Sequence, residues 1–314
     1  MLNVDTLGCS PDNNVVSNED ELVKKIQRLE TELDQKDKDL KIYRTELSHA
    51  NVQLEKLIIQ VNDQLRQSHK IQKYLIPTEF PNIQGFDFST KFSSSSVSGG
   101  DYFDIFEHYD KMRFGIFLSS ASGYGMSALF LSVLMKMTYE IEDQQSKDPG
   151  QVMTGILGEL RAQSKPEDQA SVFYGVFDRR KFQLTYCNVG QPLAVYYQAS
   201  TNRIELLKSN GAPFSPSMLD AELDLENKSV ELNPHDKLIF CSSGFLALTN
   251  ENGDSWGIDE ILSVIKRNIK MDVHGLRNEI FFQASKFSKE QPKDLTVIVT
   301  EVKERIIKLA SDLS

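Results

Sequence analysis

Apolar residues recur every seven positions along the first part of the chain, in two interleaved series. One series begins at Ile26 and ends at Val61, and the other lies four residues before its members. A mean spacing of about 3.5 residues is typical of a helix whose apolar seam is buried by a partner helix. We therefore predict a coiled coil over residues 18–70 that forms a homodimer. Its seam residues are Leu22, Ile26, Leu29, Leu33, Leu40, Tyr43, Leu47, Leu54, Leu57 and Val61.

Charges beside the seam bear on how two copies of this helix would pair. The residues that would face each other in a parallel dimer are Lys25 with Glu30, Asp39 with Arg44, and Glu32 with Asp37. Two of these pairs attract and one repels, so the charges favour a parallel dimer by a small margin. An antiparallel dimer stays open, and so does a single amphipathic helix that lies on a globular domain.

The seven-residue spacing changes near Leu65 and continues irregularly to Leu75, two residues before Pro77. Such a change of phase is typical of the point where a coiled coil joins a domain. We therefore expect residues 71–85 to form a connecting helix and linker. Residues 1–17 are rich in Asn, Asp and Ser, and this composition predicts a disordered N-terminus.

From residue 86 onward, short β-branched and aromatic runs bounded by Gly, Pro, Asn or Asp predict strands. Longer stretches between them predict helices. This mixture indicates an α+β domain over residues 86–302, followed by a helix-compatible tail at 303–314. The strand runs are 86–92, 113–118, 170–178, 182–188, 193–198, 203–207, 237–241 and 295–302, and the helical stretches are 127–143, 151–163, 258–268 and 272–289.

Composition and charge narrow the classes of function. The chain has 314 residues, of which 40% are hydrophobic and 25% charged, as in globular proteins with a sizeable core. Its formal net charge of −10 disfavours nucleic acid and anionic membranes as partners. We find no apolar run long enough for a membrane span and no secretory pattern, so we expect a cytoplasmic protein. Cys187 and Cys241 lie in apolar runs, which predicts buried free thiols.

Four short segments carry the candidate chemistry of the domain. They are Ser98-Gly99-Gly100-Asp101-Tyr102-Phe103-Asp104, Ser119-Ser120-Ala121-Ser122-Gly123-Tyr124-Gly125, Ser242-Ser243-Gly244 and Lys293-Asp294-Leu295-Thr296. In order, spacing and strand-like flanks they resemble the SpoIIE/RsbU branch of the protein phosphatase 2C-type (PPM) family. Residues 188–192 and 245–262 resemble further parts of that family, and the resemblance covers about residues 70–302.

The resemblance implies a β-sandwich flanked by helices, with a two-metal active site. In this family four aspartates hold two Mg²⁺ or Mn²⁺ ions, and a bridging water attacks the phosphate of phosphoserine or phosphothreonine. The family's pattern would place an aspartate at each of four positions of this chain. The residues that stand there are Asp101, Ser120, Ser243 and Lys293.

These four residues would offer little negative charge to a pair of cations. Asp101 contributes one negative charge, the two serines contribute none, and Lys293 brings the local sum to zero. Mg²⁺ and Mn²⁺ require oxygen ligands, preferably anionic ones. Each unit charge a few ångström away is worth roughly 4 kcal/mol at an effective dielectric constant of about 20. We therefore expect no bound cofactor and no conventional two-metal catalysis.

Three alternatives stay open for the site. Asp104 and Glu107 could regroup with Asp101 around a single residual ion. Asp294 would face away from the site on a regular strand, but it would join these ligands if the register shifted by one residue. The Lys293 ammonium could instead form an ion pair with Asp101 in the place of the metals.

Taken with the resemblance, these features predict a catalytically inactive PPM-type domain that acts as a dimeric regulatory or scaffolding protein in bacterial signalling. By the same resemblance, its partner would be an anti-sigma-factor antagonist (STAS-domain) protein or an upstream sensor. Two other classes of function stay open. One is an active serine/threonine phosphatase with a rearranged site that binds two Mg²⁺ or Mn²⁺ ions. The other is a structural coiled-coil protein with a globular cap.

Overall fold

The computed structural model describes residues 13–95, 100–108, 111–122, 148–166, 168–190, 192–208, 210–218 and 225–303. The chain divides into two compact units, one up to Asp63 and one from Gln64 onward. The predicted helix at 127–143, the predicted tail after residue 303 and Cys9 lie outside the described residues. None of the helices in the described ranges combines the length and the hydropathy of a membrane span.

One helix, α1, runs from Asn13 to Leu75. The sequence contains no proline in this range, so nothing interrupts the backbone hydrogen bonds of the helix. The helix includes residues 13–17, for which disorder was predicted, and it continues beyond residue 70 into the predicted linker. Every side chain of the predicted seam is more than half exposed, from 51% at Val61 to 66% at Leu33. The structure thus confirms the long helix, whereas the coiled-coil dimer stays a prediction.

The described residues after α1 form ten strands in two antiparallel sheets. The strands are β1 Phe86–Ser93, β2 Asp101–Glu107, β3 Arg113–Ser122, β4 Gln169–Asp178, β5 Gln183–Val189, β6 Leu193–Gln198, β7 Arg203–Leu206, β8 Lys228–Glu231, β9 Lys237–Cys241 and β10 Leu295–Val302. The first sheet has the order β1-β10-β9-β6-β7, and the second has the order β2-β3-β4-β5-β8.

Three α-helices of the described domain cover the outer faces of the two sheets. They are α2 Pro149–Gln163, α3 Ile258–Asn268 and α4 Val273–Phe287, and a short 3-10 helix, Ser243–Ala247, follows β9. Aspartates begin two of these helices: the Asp148 side chain accepts the N–H of Gln151, and Asp272 accepts the N–H of Gly275. Both are N-caps, which satisfy donors that the first helical turn leaves unpaired.

Alternating side chains on the strands divide the core into layers. In β9, Leu238 and Phe240 point into the core between the two sheets, whereas Ile239 and Cys241 pack with α3 and α4 on the outer face. A third cluster packs α2 against the outer face of the second sheet. The result is an α/β/β/α sandwich, in which burial of the apolar face of each layer supplies most of the stabilisation.

The predicted strand runs all form strands, with ends that differ by a few residues. The sequence pattern does not predict β2, which overlaps the candidate segment that begins at Ser98. It also does not predict β8, a strand of four residues on the edge of the second sheet. The prediction of buried free thiols is confirmed, and burial raises the pKa of Cys187 to about 11 and that of Cys241 to about 12.

Candidate functional site

Three polar residues form a row across the inner face of the second sheet, at one end of the sandwich. Asp101, the first residue of β2, pairs with Ser120 of β3, which in turn pairs with Ser171 of β4. The residues two positions along each strand, which belong to the core between the sheets, are Phe103, Leu118 and Phe173. Because side chains two residues apart share a sheet face, all three polar side chains point into the sandwich.

The Asp101 carboxylate is buried and accepts hydrogen bonds on both of its oxygens. Ser120 Oγ donates to Oδ1 at 2.7 Å, and Thr296 Oγ1 donates to Oδ2 at 2.7 Å. Burial raises the pKa of Asp101, the nearby charge of Asp294 raises it further, and the hydroxyl donors lower it, so the pKa is about 7. At neutral pH this carboxyl group is partly protonated and carries less than a full negative charge.

The Asp294 carboxylate is also buried, and it accepts backbone N–H groups of Ser95 and of the residues that begin β2. Its Oδ1 accepts the N–H of Ser95 at 2.7 Å, and its Oδ2 accepts the N–H groups of Gly100 and Asp101 at 2.9 and 3.2 Å. Strand β10 begins at Leu295, so the alternation of a regular strand does not apply to Asp294. The expectation that Asp294 faces away from the site is therefore wrong.

The third segment reaches the site through the 3-10 helix after β9. The N–H of Ser243 donates to Ser120 Oγ at 3.3 Å, and Ser242 Oγ donates to the Asp294 carbonyl at 3.3 Å. A Cβ atom on Gly244 would collide with the same Asp294 carbonyl. Since a larger residue could not approach β10 so closely, this glycine lets the 3-10 helix bring Ser243 to the second sheet.

A cavity of about 70 Å³ opens at this end of the sandwich. Three of the four predicted metal-site positions line it, and the fourth, Asp101, accepts the Ser120 hydroxyl. Lys293 is half-buried in the lining and forms no ion pair within the described ranges, so the structure does not support the alternative in which it pairs with Asp101. The lining residues are Ser120, Ala121, Gln169, Ser171, Pro213, Ser243 and Lys293.

The structure does not bring Asp104 and Glu107 to Asp101. Asp104 lies on the opposite face of β2, where its carboxylate accepts the hydroxyl of Tyr102 at 3.1 Å and the N–H of Ile105 at 2.8 Å. Glu107 is exposed at the other end of β2, six residues from Asp101, which corresponds to about 20 Å along a strand. The structure therefore contradicts the alternative in which Asp104 and Glu107 join Asp101 around a single ion.

Sequence reasoning did not select Ser171 or Gln169 for the cavity, nor Thr296 as a partner of Asp101. Thr296 belongs to the segment Lys293-Asp294-Leu295-Thr296. It is a polar residue in a mostly apolar strand, and this was the signal that could have identified it. Ser171 is identified only by its pairing with Ser120 across two strands. Gly190, with a φ of +81°, leaves room for the Ser171 hydroxyl, because a Cβ there would collide with it.

The residues present fit a pair of divalent cations poorly. In the described part of the chain, no group of three or more His, Cys, Asp or Glu side chains could hold a metal ion. The oxygens of Asp101 and Asp294 already accept two hydroxyl groups and three backbone N–H groups. Lys293 adds positive charge to the cavity in which the cations would lie.

Asp101→Asn is expected to make stability less dependent on pH. The folded-state pKa of Asp101, about 7, exceeds its ordinary value of 3.8, so between these values the folded protein binds more protons than the unfolded chain. The stability that the protonated carboxyl contributes is full below about pH 4 and is lost as the pH rises through about 7, with a slope of at most about 1.4 kcal/mol per pH unit.

Urea unfolding of the wild type and of Asp101→Asn between pH 5 and pH 8 measures this difference. We expect the variant to gain stability relative to the wild type as the pH rises. Asp104→Asn is the matched control, because Asp104 lies on the other face of the same strand. If the wild type and Asp101→Asn showed the same pH dependence, Asp101 would not titrate as a buried group.

Comparison with known sequences identifies relatives of this domain. The profile of the family described as "Stage II sporulation protein E (SpoIIE)" matches residues 110–303. The phosphoserine phosphatase RsbU of Bacillus subtilis (strain 168) is 20% identical over 194 residues, which make up 62% of this chain and 56% of that protein. The chain therefore spans little more than half the length of this relative.

Solved structures share the architecture. The SiaA-PP2C domain of Pseudomonas aeruginosa superposes with a TM-score of 0.64 at 17% identity, over 77% of this chain and 97% of that one. The catalytic domain of the serine/threonine phosphatase PstP, in complex with two manganese ions, gives a TM-score of 0.52 at 11% identity, over 70% and 99%. At these identities the likeness concerns the fold, and it confirms the predicted helix-flanked sandwich.

Proposed function

Because the chain belongs to the SpoIIE family of PP2C-type phosphatase domains, we propose that it is a catalytically inactive member. It would act as a dimeric regulatory or scaffolding protein in bacterial signalling. One observation carries the proposal: Lys293, Ser120 and Ser243 line the cavity at the positions where the family pattern has metal-binding aspartates. An inactive domain of this kind would work through protein binding, since it could not turn over a phosphorylated substrate.

The charge balance of the site supports this proposal. Asp101 supplies at most one negative charge, and its pKa of about 7 leaves it partly protonated at neutral pH. The Asp294 carboxylate is occupied by three backbone N–H groups. A hydroxyl group can coordinate an ion but adds no charge, and the Lys293 ammonium repels one. Since bringing two divalent cations together requires anionic oxygens, the affinity for a metal pair would be low.

The wild-type protein is expected to show no Mn²⁺-dependent hydrolysis of p-nitrophenyl phosphate or of a phosphoserine peptide. The rate with protein should equal the rate of the buffer containing the same metal. Asp101→Asn is the diagnostic variant, because it keeps the shape of the side chain and removes the carboxylate of the site. Turnover by the wild type that disappears in Asp101→Asn would overturn the proposal.

A second candidate, an active phosphatase with a rearranged metal site, is favoured by one observation. Two carboxylates, Asp101 and Asp294, lie close enough that the charge of one raises the pKa of the other. A cation bound between them would relieve this repulsion. This candidate predicts Mn²⁺ binding that is lost in Asp101→Asn and in Asp294→Asn, which calorimetric titration measures directly. Binding with micromolar affinity would favour it over the inactive domain.

We propose further that the protein forms a homodimer through α1. The apolar seam of this helix is exposed in the single chain, and a seam at this spacing is buried by a partner helix. Leu40→Lys combined with Leu47→Lys would place charges in the seam. Ile42→Lys combined with Val52→Lys is the matched control, since both residues are exposed and lie outside the seam. Light scattering should show a dimer for the wild type and control, and a monomer for the seam variant.

The partner of the domain would be a protein, and family analogy suggests a STAS-domain protein or an upstream sensor. The formal net charge of −10 supports a protein partner over nucleic acid. Two buried free cysteines agree with a reducing compartment and support a cytoplasmic location. Deletion of residues 18–70 separates this proposal from a purely structural coiled coil, because the remaining domain should still bind its partner.

A further inference from the structure

We infer that a groove between α3 and α4 binds an acidic segment of a protein partner that also carries an apolar anchor side chain. The groove has a volume of about 360 Å³ and lies on the helical layer that covers the outer face of the first sheet. Its described lining shares no residue with the cavity at the end of the sandwich. The inference rests on the proposed function, because it gives a surface and a chemistry to the protein binding proposed there.

The floor of the groove is apolar and is held by the core. Trp256 and Val264 are each 3% exposed and belong to the cluster that packs α3 and α4 on the first sheet. The partly buried Phe287 ring stacks on Trp256, with 6.0 Å between the ring centroids. Because core packing fixes these side chains, the groove exists before a partner arrives, and little ordering has to accompany binding. An apolar side chain that enters the groove gains free energy from its burial.

Two cations of the lining have no carboxylate partner in the described part of the chain. Arg267 on α3 and Lys286 on α4 are both exposed, and neither forms an ion pair there. Arg267 Nε donates to the Ser263 carbonyl at 3.2 Å, so the guanidinium keeps its two terminal nitrogens for a ligand. A guanidinium binds a carboxylate through two parallel hydrogen bonds. The groove therefore offers charge-assisted donors beside an apolar floor.

The carboxylate in the described lining, Glu260, is held at the start of α3. Glu260 lies in the first turn of this helix, and a Cβ atom on the N-cap residue Gly257 would come within 2.7 Å of its Oε2. The N-terminus of a helix favours a negative charge in this position. Two positive charges then stand against one negative charge in the lining, whereas the whole chain carries −10. This local excess of positive charge selects an acidic segment.

An exposed aromatic side chain extends the surface beyond the groove. Phe282 is 58% exposed, more than any other large apolar side chain described from β1 onward. It precedes Lys286 by four residues on α4, so the two side chains are neighbours on the helix surface. Aromatic side chains and arginine are enriched at protein–protein interfaces. A surface of this extent fits a polypeptide better than a small molecule, and the net charge of −10 disfavours a nucleic acid, which is a longer polyanion.

Fluorescence titrations of the full-length protein test the inference, because Trp256 is the single tryptophan of the chain and lies in the groove floor. The probe is the peptide acetyl-Asp-Glu-Leu-Phe-Asp-Glu-amide, and the comparison peptide has lysine in place of each acidic residue. We expect a saturable change in emission with the acidic peptide only. Its affinity should fall as the salt concentration rises, since salt screens exposed charges.

Two double variants locate the binding site. Arg267→Gln combined with Lys286→Gln should weaken binding of the acidic peptide by roughly 10-fold or more, because both charge-assisted contacts are lost. Arg203→Gln combined with Lys181→Gln is the matched control. It removes the same charges at exposed positions outside the groove, so it should leave the affinity unchanged. Phe282→Ala should also weaken binding, but by less than the loss of both cations.

Other outcomes overturn the inference. They are the absence of saturation, equal affinities for the acidic and the lysine peptide, and equal losses in the two double variants. Tighter binding of oligothymidylate than of the acidic peptide would assign the groove to nucleic acid instead. Each of these results leaves the inactive domain standing. Mn²⁺-dependent turnover of p-nitrophenyl phosphate by the same protein would overturn the inactive domain and leave the groove as a binding surface.

Discussion

Asp294→Ala is expected to destabilise the domain by on the order of 3 kcal/mol or more. The variant removes the carboxylate that accepts the buried backbone N–H groups of Ser95, Gly100 and Asp101. Each unpaired buried donor carries a desolvation penalty, and the lost bonds are to a charged group. Urea unfolding followed by the fluorescence of Trp256, the single tryptophan of the chain, measures the loss.

The loss in Asp294→Ala should itself depend on pH. The charge of Asp294 is the second cause of the raised pKa of Asp101, after burial. At pH 8 the variant relieves repulsion between two ionised carboxylates, whereas at pH 5 Asp101 is protonated and there is little to relieve. We therefore expect a smaller destabilisation at pH 8 than at pH 5. Asp254→Ala is the matched control, since Asp254 is exposed and accepts a bond from Asn250 at 2.9 Å.

The control variant should change the free energy of unfolding by less than about 1 kcal/mol, as exposed substitutions usually do. Equal stability of Asp294→Ala and Asp254→Ala would contradict the role of Asp294 as the buried acceptor of three backbone N–H groups. It would also remove the explanation for the position of Asp101, whose own N–H is one of the three donors.

A triple variant, Ser120→Asp with Ser243→Asp and Lys293→Asp, is expected to gain the affinity for Mn²⁺ that the wild type lacks. Together with Asp101 it would place four carboxylates around the cavity, and it removes the ammonium. At roughly 4 kcal/mol per nearby unit charge, even partial realisation of these attractions corresponds to a gain of at least about 100-fold. Calorimetric titration of Mn²⁺ into both proteins measures it.

The matched control changes the net charge by the same amount at a distance from the cavity. It combines Ser263→Asp, Ser285→Asp and Lys266→Asp, which are all at exposed positions of α3 and α4. This control should bind Mn²⁺ no better than the wild type. If the two triple variants gained the same affinity, the effect would come from net charge, and the four positions would not form the remnant of a metal site.

The strands could be predicted from the sequence where both sheet faces are buried by apolar residues. Strands β9 and β10 place apolar side chains in the core between the sheets and under α3 and α4, and their predicted runs match the structure. Strand β2 is not among the predicted runs, because its residues Asp101 and Asp104 are of a type that is depleted in strands. Its pairing with the next strand, β3, makes it a strand.

The site was predicted less completely, for physical reasons. Family resemblance identified Asp101, Ser120, Ser243 and Lys293, and three of them line the cavity. The position of Asp294 could not be derived from alternation, because β10 begins one residue later. The sandwich places Ser171 beside Ser120 through the register of β3 and β4, which depends on the packing of whole sheets.

The seam of α1 illustrates the same limit at a larger scale. Its heptad pattern predicts the helix, and the structure confirms it over Asn13–Leu75. The pattern also predicts what the seam contacts, but that contact lies between chains and depends on the charges and shape of a second helix. The seam variants described above address this contact directly.

Diffraction from crystals grown with Mn²⁺, at a wavelength where manganese scatters anomalously, shows directly whether the site binds a pair of metal ions. We expect an anomalous map with no pair of ions beside Asp101, and a Lys293 side chain that extends into the cavity. Two well-occupied manganese ions between Asp101, Ser120 and Ser243 would contradict it, and the domain would then have to be regarded as a metal-dependent phosphatase.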